Sequence, residues 1–327
     1  MYLNVGTNNK NMAKQGKRQY AIVGVGGVGG YFGGRLAQAG LDVKFLLHSD
    51  YEHVREHGLT VKSHVGDFAL PKIEAYRDVR EMGVADVVIV CMKTTRERLL
   101  GELLPPLIGD DTIVILIQNG IGVEADVAEM LPGVRLVAGL AFISSTKTGP
   151  GEIWHQFFGN INFAPYNIDA KEVEPIVEDF ALANVQTRIM GYEEARWKKA
   201  LWNIPFNGLS VVLGMQTDGL TRGEAAKICR AIMDEVKEAS HALGVADETG
   251  KWLIGDEECD KMMAMTQKMP AYSPSMRVDY DNGREMEIEY LYRRPVKMAQ
   301  EAGVRMWKTE MLTMELEAIE ERMKENG

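Results

Sequence analysis

A polar stripe recurs on one helical face in the stretch 197–207. Lys199, Asn203 and Asn207 stand four residues apart, and residues at this spacing line one face of a helix. Ammonium and amide groups bind carbonyl, hydroxyl and carboxylate groups, so the stripe predicts a cleft that carries chemistry. The pattern also fits asparagines that satisfy buried backbone groups at a domain junction, close to Pro205, which removes a helical hydrogen bond.

A glycine-rich turn follows the first apolar run of the chain. The sequence after Tyr20–Val23 matches GxGxxG and opens an amphipathic stretch, which is the context that gives this motif its meaning. Gly24 would permit the tight turn, Gly26 would let the backbone approach a pyrophosphate, and Gly29 would let the helix pack against the strand. The start of the helix favours phosphate, so we predict dinucleotide binding over a close-packed turn without a ligand. The residues expected at the cofactor are Gly24, Gly26, Gly27, Val28 and Gly29.

The end of the second predicted strand indicates which dinucleotide binds. Folds that are specific for NAD place a carboxylate there, on the ribose 2′-hydroxyl. His48 and Ser49 occupy this slot and Asp50 comes later, so the group that would repel a 2′-phosphate is missing. Both side chains can donate hydrogen bonds. The same two residues also fit a solvated turn that binds no cofactor. We predict NADP as the cofactor, with NAD left as the alternative.

Two further strand ends place polar side chains at the same edge of the sheet. Lys93 follows the apolar run 87–91, and Asn119 follows the run 112–117. Ligands of open α/β sheets lie beyond the carboxyl ends of the strands, so both residues are candidates for the cofactor cleft. The alternatives are that Lys93 is a solvated charge that opens a helix and that Asn119 belongs to an ordinary turn.

Short apolar runs alternate with amphipathic stretches in the first half of the chain. Several runs are continuously apolar and rich in Val and Ile, as strands covered on both faces are. Strand followed by helix, repeated, predicts a doubly wound parallel sheet, and the glycine- and aromatic-rich stretch Gly149–Pro165 predicts a hairpin that closes it. The predicted strands are Tyr20–Val23, Val43–Leu47, Val87–Cys91, Thr112–Ile117 and Leu136–Ala141.

After about Gly191 the strand signals give way to long stretches with helical spacing. The predicted fold class is α/β, with an N-terminal Rossmann-like doubly wound parallel sheet and a C-terminal all-helical domain. We expect a flexible basic tail at 1–18, a dinucleotide-binding domain at 19–190 and a helical substrate and catalytic domain at 191–327. The predicted helices are Glu193–Leu213, Arg222–Leu243, Asp256–Lys268, Arg284–Ala302 and Trp307–Lys324.

Composition excludes several classes of protein. The 327 residues include 37 basic and 47 acidic side chains, a net charge of −10, which argues against general nucleic-acid binding. No apolar run approaches the roughly 18 residues of a membrane-spanning helix, and the first residues lack the apolar core of a signal peptide. Three widely spaced cysteines form neither a disulfide framework nor a zinc site. We expect a cytoplasmic protein with no metal, membrane or nucleic-acid partner.

The order and spacing of these motifs resemble the ketopantoate reductase (2-dehydropantoate 2-reductase) family, from Tyr20 to about Gly303. The resemblance implies NADPH-dependent reduction of an α-keto acid, ketopantoate to pantoate in pantothenate and coenzyme A biosynthesis. One departure is His48, which stands near the place where the family usually has an arginine for the 2′-phosphate. The motifs are the glycine turn, Lys93, Gln118-Asn119-Gly120, Gly149-Pro150-Gly151 with His155, the polar stripe, Ser275-Met276 with Asp279, and Glu287-Ile288-Glu289-Tyr290.

The resemblance also implies roles for single residues. Lys199 would be the general acid, Lys93 would lie near the nicotinamide, and Glu287 would bind a substrate hydroxyl, keep Lys199 charged and lie at the cofactor. Two alternatives stay open: a reductase of this fold for a different α-keto or hydroxy acid, and a nucleotide-binding sensor without catalysis. The oligomeric state is also open, with a homodimer as one candidate. The expected substrate ligands are Asn119, which also lies at the cofactor, Asn203, Asn207 and Ser275.

Overall fold

The computed structural model describes residues 18–326. The predicted basic tail falls outside the described residues except for Arg18, whose Nε contacts Asp179 Oδ2 at 2.7 Å. The strands are β1 Gln19–Val23, β2 Asp42–Leu46, β3 Leu59–Ser63, β4 Phe68–Leu70, β5 Glu74–Tyr76, β6 Val87–Val90, β7 Ile113–Leu116, β8 Arg135–Gly149, β9 Glu152–Pro165 and β10 Thr187–Ile189. The α-helices are α1 Gly27–Gln38, α2 Tyr51–His57, α3 Leu100–Leu103, α4 Val123–Met130, α5 Ala170–Leu182, α6 Tyr192–Val212, α7 Thr217–Leu220, α8 Gly223–Ala242, α9 Asp256–Lys268, α10 Ser275–Asp281, α11 Arg294–Glu301 and α12 Trp307–Asn326.

Strand β1 lies at the centre of the parallel part of the sheet. It pairs in parallel with β2 on one side and with β6 on the other. The order continues to β5 beyond β2, and to β7 and β8 beyond β6. The winding of the chain therefore reverses between β1 and β6. The carboxyl ends of these two strands form the crevice in which open α/β sheets bind their ligands.

Both faces of the parallel strands are buried. Tyr20 and Ile22 of β1 pack with Phe32 of α1 in one apolar cluster, whereas Ala21 and Val23 lie in a second cluster on the opposite face. Burial on both faces explains why these runs are continuously apolar. The five predicted strands are confirmed with ends within one residue, except that the fifth continues as β8 to Gly149.

Strands β8 and β9 form a long antiparallel hairpin that turns at Pro150 and Gly151. The hairpin is confirmed, but its first strand begins well before the predicted stretch. It covers α1, and Ser145 Oγ donates a hydrogen bond to Gly27 O at 2.9 Å. Strand β9 also pairs in parallel with β3 and with β10. Strands β3, β4, β5 and β10 were not predicted, and they have only three to five residues each.

The chain becomes helical after β10, with α6 starting at Tyr192. Four of the five predicted helices are confirmed, as α6, α8, α9 and α12. The fifth, Arg284–Ala302, is wrong in its first part, because 284–287 are not helical and a π-helical turn spans Glu289–Arg293. Pro295 lacks an amide hydrogen, which fits an irregular turn just before it. The domain limits near residue 190 stay a prediction.

Pro205 lies inside α6 without ending the helix, which runs for 21 residues. The buried Tyr292 donates its Oη hydrogen to Ile204 O at 3.0 Å, next to the proline. Gly208 leaves room for this hydroxyl, since a Cβ at that position would lie 2.8 Å from Tyr292 Oη. The polar stripe therefore stays on one continuous helix. In the described part of the chain, none of the helices combines the length and apolar character needed to cross a membrane.

Candidate active site

The glycine-rich turn joins β1 to α1 with three glycines in different surroundings. Gly24 has φ +96°, and a Cβ there would lie 2.8 Å from Met92 N. A Cβ on Gly29 would overlap with the Gly24 carbonyl oxygen, so the helix start packs directly on the turn. Gly26 faces open space, since a Cβ at this position would have no neighbouring atom within 4 Å, and the helix start has no side-chain cap. Free amides beside open space fit the phosphates of a dinucleotide.

Lys93 follows β6 at the same edge and begins a 3-10 helix, Thr94–Leu99. Its Nζ forms an ion pair with Asp279 of α10, although 42% of the lysine side chain is exposed. Asp279 is buried and also accepts a hydrogen bond from Arg284 Nε at 3.0 Å. Lys93 is thus a charge that joins the sheet to the helical half, and not only a solvated helix start.

His48 and Ser49 are both exposed after β2. Ser49 Oγ donates to Asp50 Oδ1 at 3.2 Å. The Asp50 carboxylate pairs with Lys147 Nζ at 2.7 Å and accepts from the Gly151 amide at 3.3 Å. Burial alone would raise the pKa of Asp50, but these two donors outweigh burial and lower the pKa. The Asp50 carboxylate is therefore engaged by Lys147 and Gly151. The position after β2 exposes the imidazole of His48 and the hydroxyl of Ser49.

Lys199 leaves α6 towards the hairpin and is partly buried. Its Nζ donates a hydrogen bond to Ala141 O of β8. The same Nζ lies 4.3 Å from the centre of the Phe142 ring, within the range of a cation–π contact. Burial and the neighbouring Arg196 guanidinium lower the pKa of Lys199 to about 8. The ammonium is thus fixed between the two halves of the molecule and loses its proton more readily than a free lysine.

Asn203 lies one helical turn beyond Lys199 and is buried. Its Nδ2 donates to Asn119 Oδ1, at the end of β7, at 3.3 Å. The turn that carries Asn119 packs closely on the helical half, because a Cβ on Gly120 would overlap with Tyr290. Two of the predicted site residues, from opposite halves of the chain, are therefore in direct contact.

Asn207 is buried one turn further along α6 and has a different environment. Its Oδ1 accepts hydrogen bonds from Ser275 Oγ at 3.3 Å and from the Met276 amide at 3.1 Å. These donors belong to the first turn of α10, so Asn207 satisfies a helix start that has no side-chain cap of its own. Asn207 therefore satisfies a buried backbone group, as one of the two interpretations of the stripe predicts. Lys199 and Asn203 instead face the sheet.

Two adjacent family models match the chain. The model described as Ketopantoate reductase PanE/ApbA matches residues 20–167, and its C-terminal counterpart, Ketopantoate reductase PanE/ApbA C terminal, matches residues 192–320. The chain belongs to the ketopantoate reductase family. A 2-dehydropantoate 2-reductase from Nostoc sp. is 41% identical over 316 residues, which cover 94% of this chain and 96% of that protein. The chain is therefore an oxidoreductase.

Solved structures agree with this membership. A 2-dehydropantoate 2-reductase from Geobacter metallireducens matches with a TM-score of 0.88 and 37% identity, over 92% of this chain and 99% of that one. D-mandelate dehydrogenase, solved with NADH and anilino(oxo)acetate, matches with a TM-score of 0.82 over 94% of this chain and 99% of that one. At 21% identity that second likeness shows the shared fold. The predicted α/β fold with a helical C-terminal domain is thus confirmed.

Glu287 is buried at the same junction of this ketopantoate reductase family member. Its Oε1 accepts hydrogen bonds from the Thr94 amide at 3.0 Å and from Thr94 Oγ1 at 2.9 Å. Thr94 follows Lys93, so Glu287 and Asp279 hold neighbouring residues of the sheet half. The structure therefore places Glu287 against the loop after β6, while Lys199 contacts β8.

An acidic group near this edge was not predicted from the sequence. Glu97 is buried, and its Oε2 accepts from Gln118 Nε2 at 3.0 Å. Burial raises the pKa of Glu97 to about 7. Gln118 O in turn accepts from Arg196 Nη1 at 2.7 Å, and Arg196 forms a buried ion pair with Glu124. In the sequence, only the position of Gln118 next to the predicted site residue Asn119 pointed to this group of side chains. No group of three His, Cys, Asp or Glu side chains in residues 18–326 is placed to hold a metal.

Proposed function

We propose that the protein reduces 2-dehydropantoate to pantoate with NADPH and that Lys199 is the general acid. The identity of 41% to the Nostoc reductase supports the reaction. The observation that carries the chemistry is the position of the Lys199 ammonium, partly buried between α6 and β8 with a pKa of about 8. An acid with a pKa near the working pH both holds and releases a proton effectively.

The residues of the junction share the work on the substrate. A bound nicotinamide cofactor supplies the hydride. Lys199 holds a proton on Nζ and donates it to the carbonyl oxygen as that oxygen gains charge. Asn203 and Asn119 orient the substrate through amide groups that add no net charge.

Three further residues complete the proposed substrate site. Ser275 anchors the substrate through its hydroxyl. Asn207 uses Oδ1 on the start of α10, which leaves Nδ2 as the atom that it offers. Glu287 accepts from a substrate hydroxyl with the oxygen that Thr94 does not use, since Thr94 bonds to Oε1.

Cofactor binding is assigned to the edge formed by β1, β2 and β6. The turn Gly24–Gly29 holds the pyrophosphate through its free amides. His48 donates to the 2′-phosphate of NADPH, and Ser49 does so once its hydroxyl turns away from Asp50 Oδ1. Lys93 lies at the nicotinamide side. Replacement of His48 by Asp tests this assignment, because a carboxylate repels a 2′-phosphate and accepts from a 2′-hydroxyl. We expect the ratio of kcat/KM for NADPH over NADH to fall, and an unchanged ratio would contradict the assignment.

Oxidation of NADPH and NADH, measured with a panel of α-keto acids, tests the proposed reaction. Turnover that is fastest with ketopantoate supports the proposal. Turnover only with other α-keto or hydroxy acid pairs would assign the chain to a different reductase of this fold. Binding of NADPH without turnover of any substrate would identify a nucleotide-binding sensor instead.

We also propose that the protein acts in the cytoplasm. Cys91, Cys229 and Cys259 are all free thiols, and the last two are buried. Burial raises the pKa of each of these thiols, which keeps them unreactive. Unpaired cysteines are usual in a reducing compartment. Fractionation of the producing cells with an antibody against the protein tests the location.

A further inference from the structure

Two buried polar side chains lie against each other at the carboxyl ends of β6 and β7, and part of their hydrogen-bonding capacity is unused. Glu97, on the 3-10 helix after β6, is 6% exposed, and Gln118, which follows β7, is 5% exposed. Gln118 Nε2 donates to Glu97 Oε2 at 3.0 Å. The other side-chain oxygens, Glu97 Oε1 and Gln118 Oε1, are buried and have no hydrogen-bond partner among residues 18–326. A buried acceptor without a donor destabilises the fold, so this pair needs one more donor.

The charged neighbours of Glu97 do not provide a cation for it. Its acidic neighbours are Glu124 and Asp126 of α4, and its basic neighbour is Arg196 of α6. Arg196 forms a buried ion pair with Glu124. Asp126 pairs with Arg294 at 2.6 Å. In the described part of the chain neither guanidinium pairs with Glu97, so an ionised Glu97 would be a buried charge without a counter-ion, which is unfavourable.

The remaining polar neighbours use their donors elsewhere. Tyr290, on the π-helical turn, donates its hydroxyl hydrogen to Asp126 Oδ2 at 2.7 Å. Arg196 Nη1 donates to the main-chain oxygen of Gln118 at 2.7 Å, and not to its side chain. Because no neighbouring group reaches the two free oxygens, the missing donor must belong to the pair itself.

A proton on Glu97 Oε1 supplies this donor. A carboxylic acid donates through its O–H and accepts through its C=O, while a primary amide accepts through its oxygen and donates through its nitrogen. The two groups can therefore form two hydrogen bonds side by side. Glu97 Oε1–H then donates to Gln118 Oε1, beside the bond from Gln118 Nε2 to Glu97 Oε2. Burial acts in the same direction, since it raises the pKa of Glu97 to about 7.

This pairing bears on the position of a residue at the candidate site. Gln118 is held through its side chain by Glu97 and through its main-chain oxygen by Arg196. The next residue, Asn119, accepts through Oδ1 from Asn203 Nδ2 of α6 at 3.3 Å. Glu97 is therefore two contacts away from the polar stripe, and it acts on the stripe only through the turn that carries Asn119.

We propose that Glu97 is kept as a neutral carboxylic acid, joined to Gln118 by a ring of two hydrogen bonds, and is a positioning residue for Asn119. Loss of its proton leaves two acceptor oxygens against each other and removes one of the two bonds that hold the Gln118 side chain. The role at Asn119 rests on the proposed function, in which Asn119 orients the substrate. The protonation state of Glu97 does not rest on it.

Infrared difference spectroscopy of the full chain tests the protonation state without any substrate. At pH 6 the spectrum of the unmodified chain minus that of Glu97→Gln should contain the C=O stretch of a protonated carboxylic acid. This band should fade with a midpoint near pH 7, the pKa of Glu97. The matched control is Glu102→Gln on α3, because Glu102 is exposed and exposed glutamates are ionised at pH 6. Carboxylate bands for Glu97 at pH 6, as expected for the control, would overturn the proposal.

Thermal unfolding as a function of pH gives a second test. Glu97→Gln offers a donor and an acceptor of the same shape but does not titrate. The folded chain keeps the proton of Glu97 at pH values where the unfolded chain has released it, so this proton stabilises the fold at low pH. The stabilisation should decline as the pH rises from the ordinary range of a glutamate to about 7, and then level off. The melting temperature of Glu97→Gln relative to the unmodified chain should therefore rise over this range, and an equal pH dependence of both would contradict the proposal.

Steady-state kinetics test the positioning role. Glu97→Leu keeps apolar volume but can neither donate nor accept, so we expect kcat/KM for ketopantoate to fall by up to about 10²-fold, and Glu97→Gln should restore most of this loss. The KM of the unmodified chain should rise as the pH passes 7, whereas that of Glu97→Gln should stay flat. Equal kcat/KM for the two variants would overturn the positioning role. A chain without reductase activity would overturn the proposed function and this role with it, while the infrared band would still decide the state of Glu97.

Discussion

The glycine-rich turn and the polar stripe were both predicted from regular spacing, yet they differ in how far along the chain their contacts reach. The contacts of the turn that involve Gly24 and Gly29 are local, within six residues or to the adjacent strand end. The side-chain hydrogen bonds of the stripe reach partners that are distant in sequence, from Lys199 to Ala141 and from Asn203 to Asn119. Local backbone geometry fixes the purpose of a glycine, whereas distant partners decide the purpose of a polar side chain.

The difference is sharpest within the stripe itself. Lys199 and Asn203 contact the sheet half of the molecule, but Asn207 contacts the start of α10 in its own half. Equal spacing therefore conceals two environments, contact with the sheet half, where we propose the chemistry, and support of a neighbouring helix. Substitutions that separate activity from stability test this division directly.

The largest expected effect comes from Lys199→Met, which removes the ammonium and keeps most of the apolar stem. We expect kcat with ketopantoate to fall by roughly 10²–10⁴-fold, the usual contribution of a general acid, while NADPH affinity measured by fluorescence titration stays the same. The physical reason is that we assign the cofactor to the turn Gly24–Gly29, which lies on the sheet half and away from α6.

Lys198→Met is the matched control for this experiment. Lys198 is also partly buried on α6, but its Nζ pairs with Glu194 Oε1 at 2.6 Å and not with the sheet. We expect nearly normal kcat for this variant. Equal losses in both variants would mean that α6 needs its positive charge in general, and Lys199 would lose its specific role.

The second effect distinguishes two glycines of the turn. Gly29→Ala should lower the free energy of unfolding by about 1–3 kcal/mol, because the added methyl overlaps with the Gly24 carbonyl oxygen. Gly26→Ala should change stability by less than about 1 kcal/mol, because its φ of −92° suits alanine and the space is open. Thermal unfolding of the two variants measures this difference.

For cofactor affinity we expect the opposite order, with the larger effect from Gly26→Ala and the smaller effect from Gly29→Ala. Gly26→Ala should weaken NADPH binding roughly tenfold, about 1.4 kcal/mol, because the methyl occupies the space where the backbone approaches the phosphates. Isothermal titration calorimetry gives the affinity. An unchanged affinity for Gly26→Ala would show that the pyrophosphate does not lie against this residue.

The sequence predicted the framework of the molecule well and its contacts poorly. Continuous apolar runs located the five predicted strands to within a residue at most ends, because burial on both faces leaves a strong signal. The short strand β4 and the π-helical turn Glu289–Arg293 leave no such signal. Asp279 and Glu287 meet Lys93 and Thr94 across more than 180 residues, a pairing that periodicity does not encode.

The third effect concerns pH. Burial and Arg196 lower the pKa of Lys199 to about 8, so its acid form is complete well below pH 8 and declines above it. We expect kcat for reduction to be independent of pH well below 8 and to fall about tenfold per pH unit above 8. Lys199→Arg should retain part of the activity and lose this alkaline fall, since arginine stays charged. An alkaline fall that persists in Lys199→Arg would belong to another group.

The smallest expected effect separates Asn207 from Asn203. Asn207→Ala leaves the Met276 amide at the start of α10 without its acceptor, and the loss of a helix cap costs about 1 kcal/mol. We expect lower thermal stability and a raised KM, because Ser275 on the same turn also loses its partner. Asn203→Ala should instead lower kcat with a smaller change in stability, since its partner Asn119 is partly buried beside the cleft. Steady-state kinetics and thermal unfolding of both variants test this distinction. Equal changes in kcat, KM and stability in the two variants would mean that the stripe acts as one unit and that its division into two tasks is wrong.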